Sequence, residues 1–222
     1  MQMMSFNVDE FSENDIWFGM THGRECSDGA LRDQAVANGF SRLFTVRQVH
    51  GSDIVDVSSS SLDAEADAIV CYERGVLLCV RVADCCGIVV YHPGESIVAC
   101  IHSGWRGTRH GIAQRTVNRL VHDTGIAADE FMIWLSACAS GEAYEVRSDV
   151  QQHFPDHCRS LDEERFLFDN RSALRQQLID VGVSEENIRT SESCTIKDTR
   201  YHSYRRDGAA SGRNIVFIGH LR

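Results

Sequence analysis

Short, nearly unbroken apolar runs dominate the middle of the chain. Gly75–Val82 (GVLLCVRV) is almost continuously apolar, which predicts a strand covered on both faces. Gly87–His92, Ser96–Ile101, Phe131–Leu135 and Asn214–Ile218 read as further short strands. Two segments switch to helical spacing. Thr108–His122 carries Ile112, Val117, Leu120 and Val121, and Ser172–Val181 carries Leu174, Leu178 and Val181 ahead of Gly182, a natural C-cap. Strands interleaved with helices predict an α/β or α+β fold. No repeat, low-complexity tract or linker divides the chain, so residues 1–222 are read as one domain. The serine-rich stretch Val57–Asp67 reads as a surface loop.

The chemistry concentrates in Arg81–Gly107, RVADCCGIVVYHPGESIVACIHSGWRG. Cys85 leaves the end of one apolar strand, and His102 leaves the end of another. His50 lies upstream in RQVHG, after a further apolar stretch. One thiolate and two imidazoles at strand ends can converge on a borderline-soft ion such as zinc. Three protein ligands leave a coordination position open, as in catalytic rather than structural zinc sites. Cys86 follows Cys85 directly, so in an extended chain it points to the opposite face and belongs to the core.

Charge narrows the class of function. With 22 Lys+Arg against 32 Asp+Glu the net charge is −10, which argues against nucleic acid or an anionic membrane as partner. An anionic substrate would need a local concentration of arginine, and Arg106 and Arg205–Arg206 supply candidates. The polar, acidic N-terminus has no secretory pattern, and nine scattered cysteines suit a reducing compartment. The expectation is a cytoplasmic protein and, with no interface-like stripe, a monomer.

The segment HSGWRGTRHG after His102 reads as a glycine-punctuated turn opening a helix, where Arg106 and backbone N–H groups can favour an anion or where the glycines simply shape the turn. Asp84 is equally suited to proton transfer beside Cys85 and to capping nearby N–H groups. Arg205, Arg206, Asp207, Gly208 and Arg213 suggest a turn presenting guanidinium groups, with Tyr201 and Tyr204 close by. His153, His157 and Cys158 form a rival cluster in QQHFPDHC, but Pro155 argues against a helix there, and an exposed loop is expected.

In order along the chain stand Gln48-Val49-His50-Gly51, Ala83-Asp84-Cys85, His102-Ser103-Gly104-Trp105-Arg106-Gly107, Ser136-Ala137-Cys138 with Tyr144-Glu145-Val146, and Ser203-Tyr204-Arg205-Arg206-Asp207-Gly208 with Gly212-Arg213. This series resembles the bacterial laccase-domain (YfiH-like) family. Its members have been labelled polyphenol oxidases and purine nucleoside phosphorylases with adenosine deaminase activity. The resemblance implies layered mixed β-sheets flanked by helices, a fold also seen in deamidase toxins. It also implies zinc held by His50, Cys85 and His102, with a purine nucleoside and phosphate as substrates. Asp84, Cys85 and Arg106 become the candidate catalytic residues; Arg47, Gln48, Arg205 and Arg206 become candidates for substrate or phosphate binding. The chain departs from the family pattern at Val82, at Gly87, in SACASGEAYEV, and in the shortened Thr21-His22-Gly23-Arg24.

Other chemistries fit parts of the same pattern. A copper-loaded site could act as a polyphenol oxidase, although none of the ten histidines forms the His-x-His pairs of multicopper laccases. Cys85 activated by His102 could act as a metal-free hydrolase on amides, including a peptidoglycan-editing role. A zinc-stabilised binding protein would instead close the site with a fourth ligand, for which Cys138 is the candidate.

Overall fold

A computed structural model describes residues 8–13, 15–23, 28–61 and 64–222. In chain order its first strands are β1 (Val8–Glu13), β2 (Ile16–Thr21), β3 (Arg42–Thr45), β4 (Ile54–Asp56) and β5 (Ala68–Cys71). Next come β6 (Val76–Val82), β7 (Cys86–Tyr91), β8 (Val98–Ser103) and β9 (Met132–Leu135). The last are β10 (Glu145–Val146), β11 (Cys158–Ser160), β12 (Phe166–Phe168), β13 (Ile188–Thr190) and β14 (Asn214–His220). The helices are α1 (Asp28–Ala37), α2 (Trp105–Arg109), α3 (Ile112–Thr124), α4 (Ser148–Gln151), α5 (Asn170–Asp180) and α6 (Tyr204–Asp207). All five strands expected from the apolar runs are present, with ends shifted by one or two residues.

Two mixed sheets carry the domain. One has the order β1-β2-β14-β6-β3 and the other β13-β9-β7-β8-β5-β4. They pack face to face, with Phe18, Leu78, Val80 and Val216 from the first meeting Ile69, Val89, Cys100 and Trp134 from the second. The sheets approach tightly at Gly87, where a Cβ would lie 2.4 Å from Val216 Cγ2, so this position has no room for a side chain. The outer face of the six-stranded sheet buries Ile88, Val90 and Ile101 against Ile112, Val117 and Leu120 of α3 and Leu174 and Leu178 of α5. Each of those fully buried side chains stabilises the fold by about 1.5–3 kcal/mol. Leu31 and Ala35 of α1 cover the other sheet together with Phe40. The result is a single layered domain of two sheets between helices, as the sequence resemblance implied.

The helical expectations need one correction. Thr108–His122 is not continuous: α2 ends at Arg109, Gly111 takes φ +68°, and α3 starts at Ile112. Apolar spacing runs across the break, but Gly111 adopts a left-handed conformation that interrupts the ladder. The second helix forms as α5, with Asp169 accepting the Ser172 N–H at 3.0 Å as N-cap and Gly182 just beyond its end at φ +95°. The QQHFPDHC segment holds the end of α4, a short 3-10 turn at Pro155–His157 and the start of β11, so it is more ordered than the expected loop. Of the shortened N-terminal motif, Thr21 closes β2 and the Gly23 N–H bonds Arg200 O at 2.7 Å, while Arg24 lies outside the described residues. No helix among the described residues is long and apolar enough to cross a membrane.

Candidate metal centre and active-site cleft

His102 is the penultimate residue of β8, Cys85 occupies the turn between β6 and β7, and His50 follows β3 in a loop. Antiparallel pairing of β7 with β8 sets Gly87 opposite His102, which brings the Cys85 turn to the histidine. The ligand atoms of His50, Cys85 and His102 all lie within 4.8 Å of one another. The two imidazoles meet edge to face, with ring centroids 4.7 Å apart. This is the one such group of metal-ligating side chains among the described residues. Two imidazole nitrogens and a thiolate are a donor set that zinc accepts, so the residues fit the ion that the sequence suggested.

The surroundings keep the thiol reachable. A Cβ on Gly104 would stand 2.7 Å from Cys85 Sγ, so only glycine leaves space there. The turn behind it is fixed by buried hydrogen bonds. Thr108 donates its hydroxyl to Asn170 Oδ1 at 2.7 Å, and Asn170 Nδ2 donates to Ser103 O at 3.0 Å.

Asp67 was missed by the sequence reading, which placed it at the end of a surface loop. Its side chain is completely buried, with an oxygen 2.7 Å from His102 Nδ1, and it accepts the backbone N–H groups of Val49, His50 and Gly51. The available signal was an aspartate directly before an apolar run, Asp67-Ala68-Ile69-Val70.

These contacts shift the ionisations. Burial alone would push the Cys85 thiol up, but the charge of His102 and hydrogen bonds from both imidazoles bring it down to about 6. Burial alone would pull His102 down, whereas the Cys85 charge and the Asp67 hydrogen bond raise it to about 9. Burial raises Asp67, but the His102 bond and the loop N–H groups more than offset it and hold it below its ordinary value. Both shifts favour a thiolate beside an imidazolium in the metal-free site at neutral pH. Alkylation of metal-free protein by iodoacetamide should show a fast phase at Cys85 that rises through a midpoint near pH 6 and is absent from Cys85→Ala. A midpoint at the ordinary thiol value would contradict this electrostatic account.

His50, Cys85 and His102 open into a cleft of about 690 Å³. Arg81, Arg106, Arg205 and Arg213 line it, a local concentration of positive charge in a chain of net −10. Arg106 lies 4.4 Å over the Trp105 ring, and Arg205 lies 5.4 Å over the Tyr144 ring. Tyr144 is backed by Phe168, with centroids 5.9 Å apart, and stands just before β10 of the small β10-β12-β11 sheet. Arg81 and Tyr144 are further site residues that the sequence reading did not single out. The first is the one charge in an apolar strand, and the second lies in a motif quoted only for family resemblance.

Not every expected residue faces the cleft freely. Arg206 points away from it: its guanidinium donates to the carbonyls of Thr195 and Tyr201 at 2.8 Å each and pairs with Asp207. On α6 a neighbour turns by about 100°, so Arg205 and Arg206 cannot share a face. Gln48 lines the cleft, but both ends of its amide bond the Arg81 backbone at 2.8 Å, which ties the His50 loop to β6. Arg47 is at the rim, paired with Glu65 at 2.6 Å. Asp84 shows the capping arrangement: its carboxylate accepts the Thr195 hydroxyl at 2.7 Å and the Arg205 N–H at 2.6 Å. Cys86 is buried as expected. Cys138 is also buried, a free thiol whose backbone pairs with that of Cys194, and it stands outside the His50–Cys85–His102 group, so it does not close that site. His157 bonds Ser172 at 3.1 Å, and the rival His153–Cys158 cluster does not assemble. A groove of about 800 Å³ lies by Cys158 and Lys197, but Lys197 is paired with Glu142 at 2.6 Å and the His/Cys centre does not face it.

The fold and site together define a layered α/β protein with a His₂Cys centre at the base of an arginine-lined cleft. Residues 28–220 match the family described as multi-copper polyphenol oxidoreductase laccase, and the chain belongs to that family. It is 29% identical over 204 residues to the purine nucleoside phosphorylase Cgl2154/cg2365 of Corynebacterium glutamicum, covering 83% of this chain and 81% of that protein. It is 31% identical over 197 residues to the purine nucleoside phosphorylase YlmD of Geobacillus stearothermophilus, covering 80% and 72%. The crystal structure of YlmD superposes with a TM-score of 0.85 at 25% identity, over 94% of this chain and 93% of that one. Bacillus licheniformis YfiH shares the fold at a TM-score of 0.89 and 20% identity, over 100% and 98%.

Proposed function

We propose that this chain is a zinc-dependent purine nucleoside phosphorylase that also deaminates adenosine. The observation that carries the reading is the convergence of His50, Cys85 and His102 at the base of the arginine-lined cleft. The names of the relatives point to the same substrates. When bound, zinc supplies Lewis-acid activation of an oxygen at the open position of the site.

The chain's own residues hold the reactants. Arg106 and Arg205 bind phosphate, and Arg81 and Arg213 add charge around it. Asp84 serves this reading by fixing the start of α6, and so Arg205, rather than by moving a proton. Tyr144 and Trp105 offer aromatic faces to the purine. In phosphorolysis a phosphate oxygen forms a bond to ribose C1′ while the bond from C1′ to the purine nitrogen breaks, and the base leaves with that electron pair and takes up a proton. Charge moves between phosphate and base in this step, and fixed guanidinium groups in a confined cleft stabilise it. In deamination water adds at C6 and ammonia leaves. Arg205→Ala is expected to raise the phosphate KM about tenfold or more, the loss of one charge-assisted contact. An unchanged phosphate KM would remove Arg205 from the binding site.

Copper is a weaker fit. Laccase chemistry needs additional copper ions, and the described residues offer one ligand group. One specific observation does favour a second reading, a cysteine hydrolase. Cys85, His102 and Asp67 stand in the order nucleophile, base and orienting carboxylate. Turnover of an amide that survives exhaustive chelation and stops on alkylation of Cys85 would establish it; loss on chelation supports the metal reading.

A further inference from the structure

We propose that Asp67 is the positioning residue of the metal centre, one carboxylate that sets both the ring of His102 and the backbone of His50. This rests on the reading of His50, Cys85 and His102 as metal ligands.

Four polar hydrogens converge on this side chain. Oδ1 lies 2.7 Å from His102 Nδ1 and accepts the His50 N–H at 3.0 Å, and Oδ2 accepts from Gly51 at 2.7 Å and Val49 at 3.1 Å. No part of the residue reaches solvent. Its main chain is tied to the same partner, since the His102 N–H bonds Asp67 O at 2.7 Å. A carboxylate offers only acceptors, so the proton of the pair sits on His102 Nδ1 and the Nε2 lone pair is left for the metal. The second ligand is held differently. His50 has φ +60°, a left-handed conformation that is unfavourable for a non-glycine residue. Three successive N–H groups wrapped around one anion form a nest that offsets this cost and aims the His50 ring at Cys85. Two ligands 52 positions apart in sequence are thus placed by one side chain.

Asp67→Asn separates this role from simple loop capping. The amide has one oxygen, so its NH₂ must face either His102 Nδ1 and the His50 N–H or the N–H groups of Val49 and Gly51. The first choice moves the ring proton to Nε2 and takes the acceptor from the His50 N–H, and the second opposes donor to donor at Val49 and Gly51, the residues that flank His50. The expected result is zinc affinity about 10- to 100-fold weaker in competition with a chromogenic chelator. A residue that only capped the loop would lower the melting temperatures of metal-free and zinc-loaded protein alike and leave the affinity unchanged, and that outcome overturns the proposal. A measurement on the wild type decides the matter even where the variant does not fold. Ring ¹⁵N–¹H correlation spectra of zinc-loaded protein should show His102 protonated at Nδ1 and metal-bound through Nε2; the reverse assignment overturns the proposal. Wild type that binds zinc but releases no purine would count against the phosphorylase reading alone, whereas wild type that takes up no zinc would overturn the metal centre and this proposal together.

Discussion

Cys85→Ala is expected to lose zinc and nucleoside turnover together while the protein stays folded. On the zinc reading the thiolate is one of three donors, and removing a ligand should weaken zinc binding at least as much as removing an outer partner does, about 100-fold or more. The fold has little stake in the sulfur. Cys85 is half-buried in a turn at the cleft, outside the strands, and its loss opens no enclosed cavity. Thermal melting of the metal-free variant should therefore stay close to wild type, and zinc content after gel filtration should fall to background. Full turnover in the variant would remove Cys85 from the chemistry. Lost turnover with zinc still bound at full stoichiometry would instead favour the nucleophile reading.

Gly104→Ala should produce much of the same loss by adding a single methyl group. Gly104 has φ −81° and ψ −179°, a conformation that alanine adopts without strain. Backbone preference therefore contributes nothing, and the effect reduces to the new Cβ. That carbon would sit 2.7 Å from Cys85 Sγ and 3.6 Å from His50 Cδ2, so the thiol must rotate off the metal position. Zinc affinity is expected to fall by about tenfold or more, since a ligand displaced by even part of an ångström loses its geometry. Calorimetric zinc titration checks this. Unchanged affinity would show that Sγ points elsewhere in the working protein.

The grouping of His50, Cys85 and His102 was legible in the sequence because each follows a strong local signal. Cys85 and His102 end or flank uninterrupted apolar runs bounded by glycine, and such runs form strands whose ends lie together in a sheet. The fold class followed from the same runs. Asp67 was not legible because its partners are 16 to 35 positions away, and burial of that carboxylate depends on how β4, β5 and β8 pair. Arg206 was misread for a related reason: adjacent arginines look like one cluster in sequence, yet a single helical turn directs them apart. The break at Gly111 escaped because apolar spacing reports which face is buried, not whether the backbone ladder runs through. Asp84 carried two readings of equal weight, and only the Thr195 and Arg205 contacts separate them.

The most direct test of the account is to incubate zinc-loaded protein with inosine and separate the products by chromatography, with and without phosphate. The account predicts hypoxanthine and ribose 1-phosphate in equal amounts, strictly dependent on phosphate and lost after chelation. Intact inosine under every condition, with zinc bound at full stoichiometry, would contradict it.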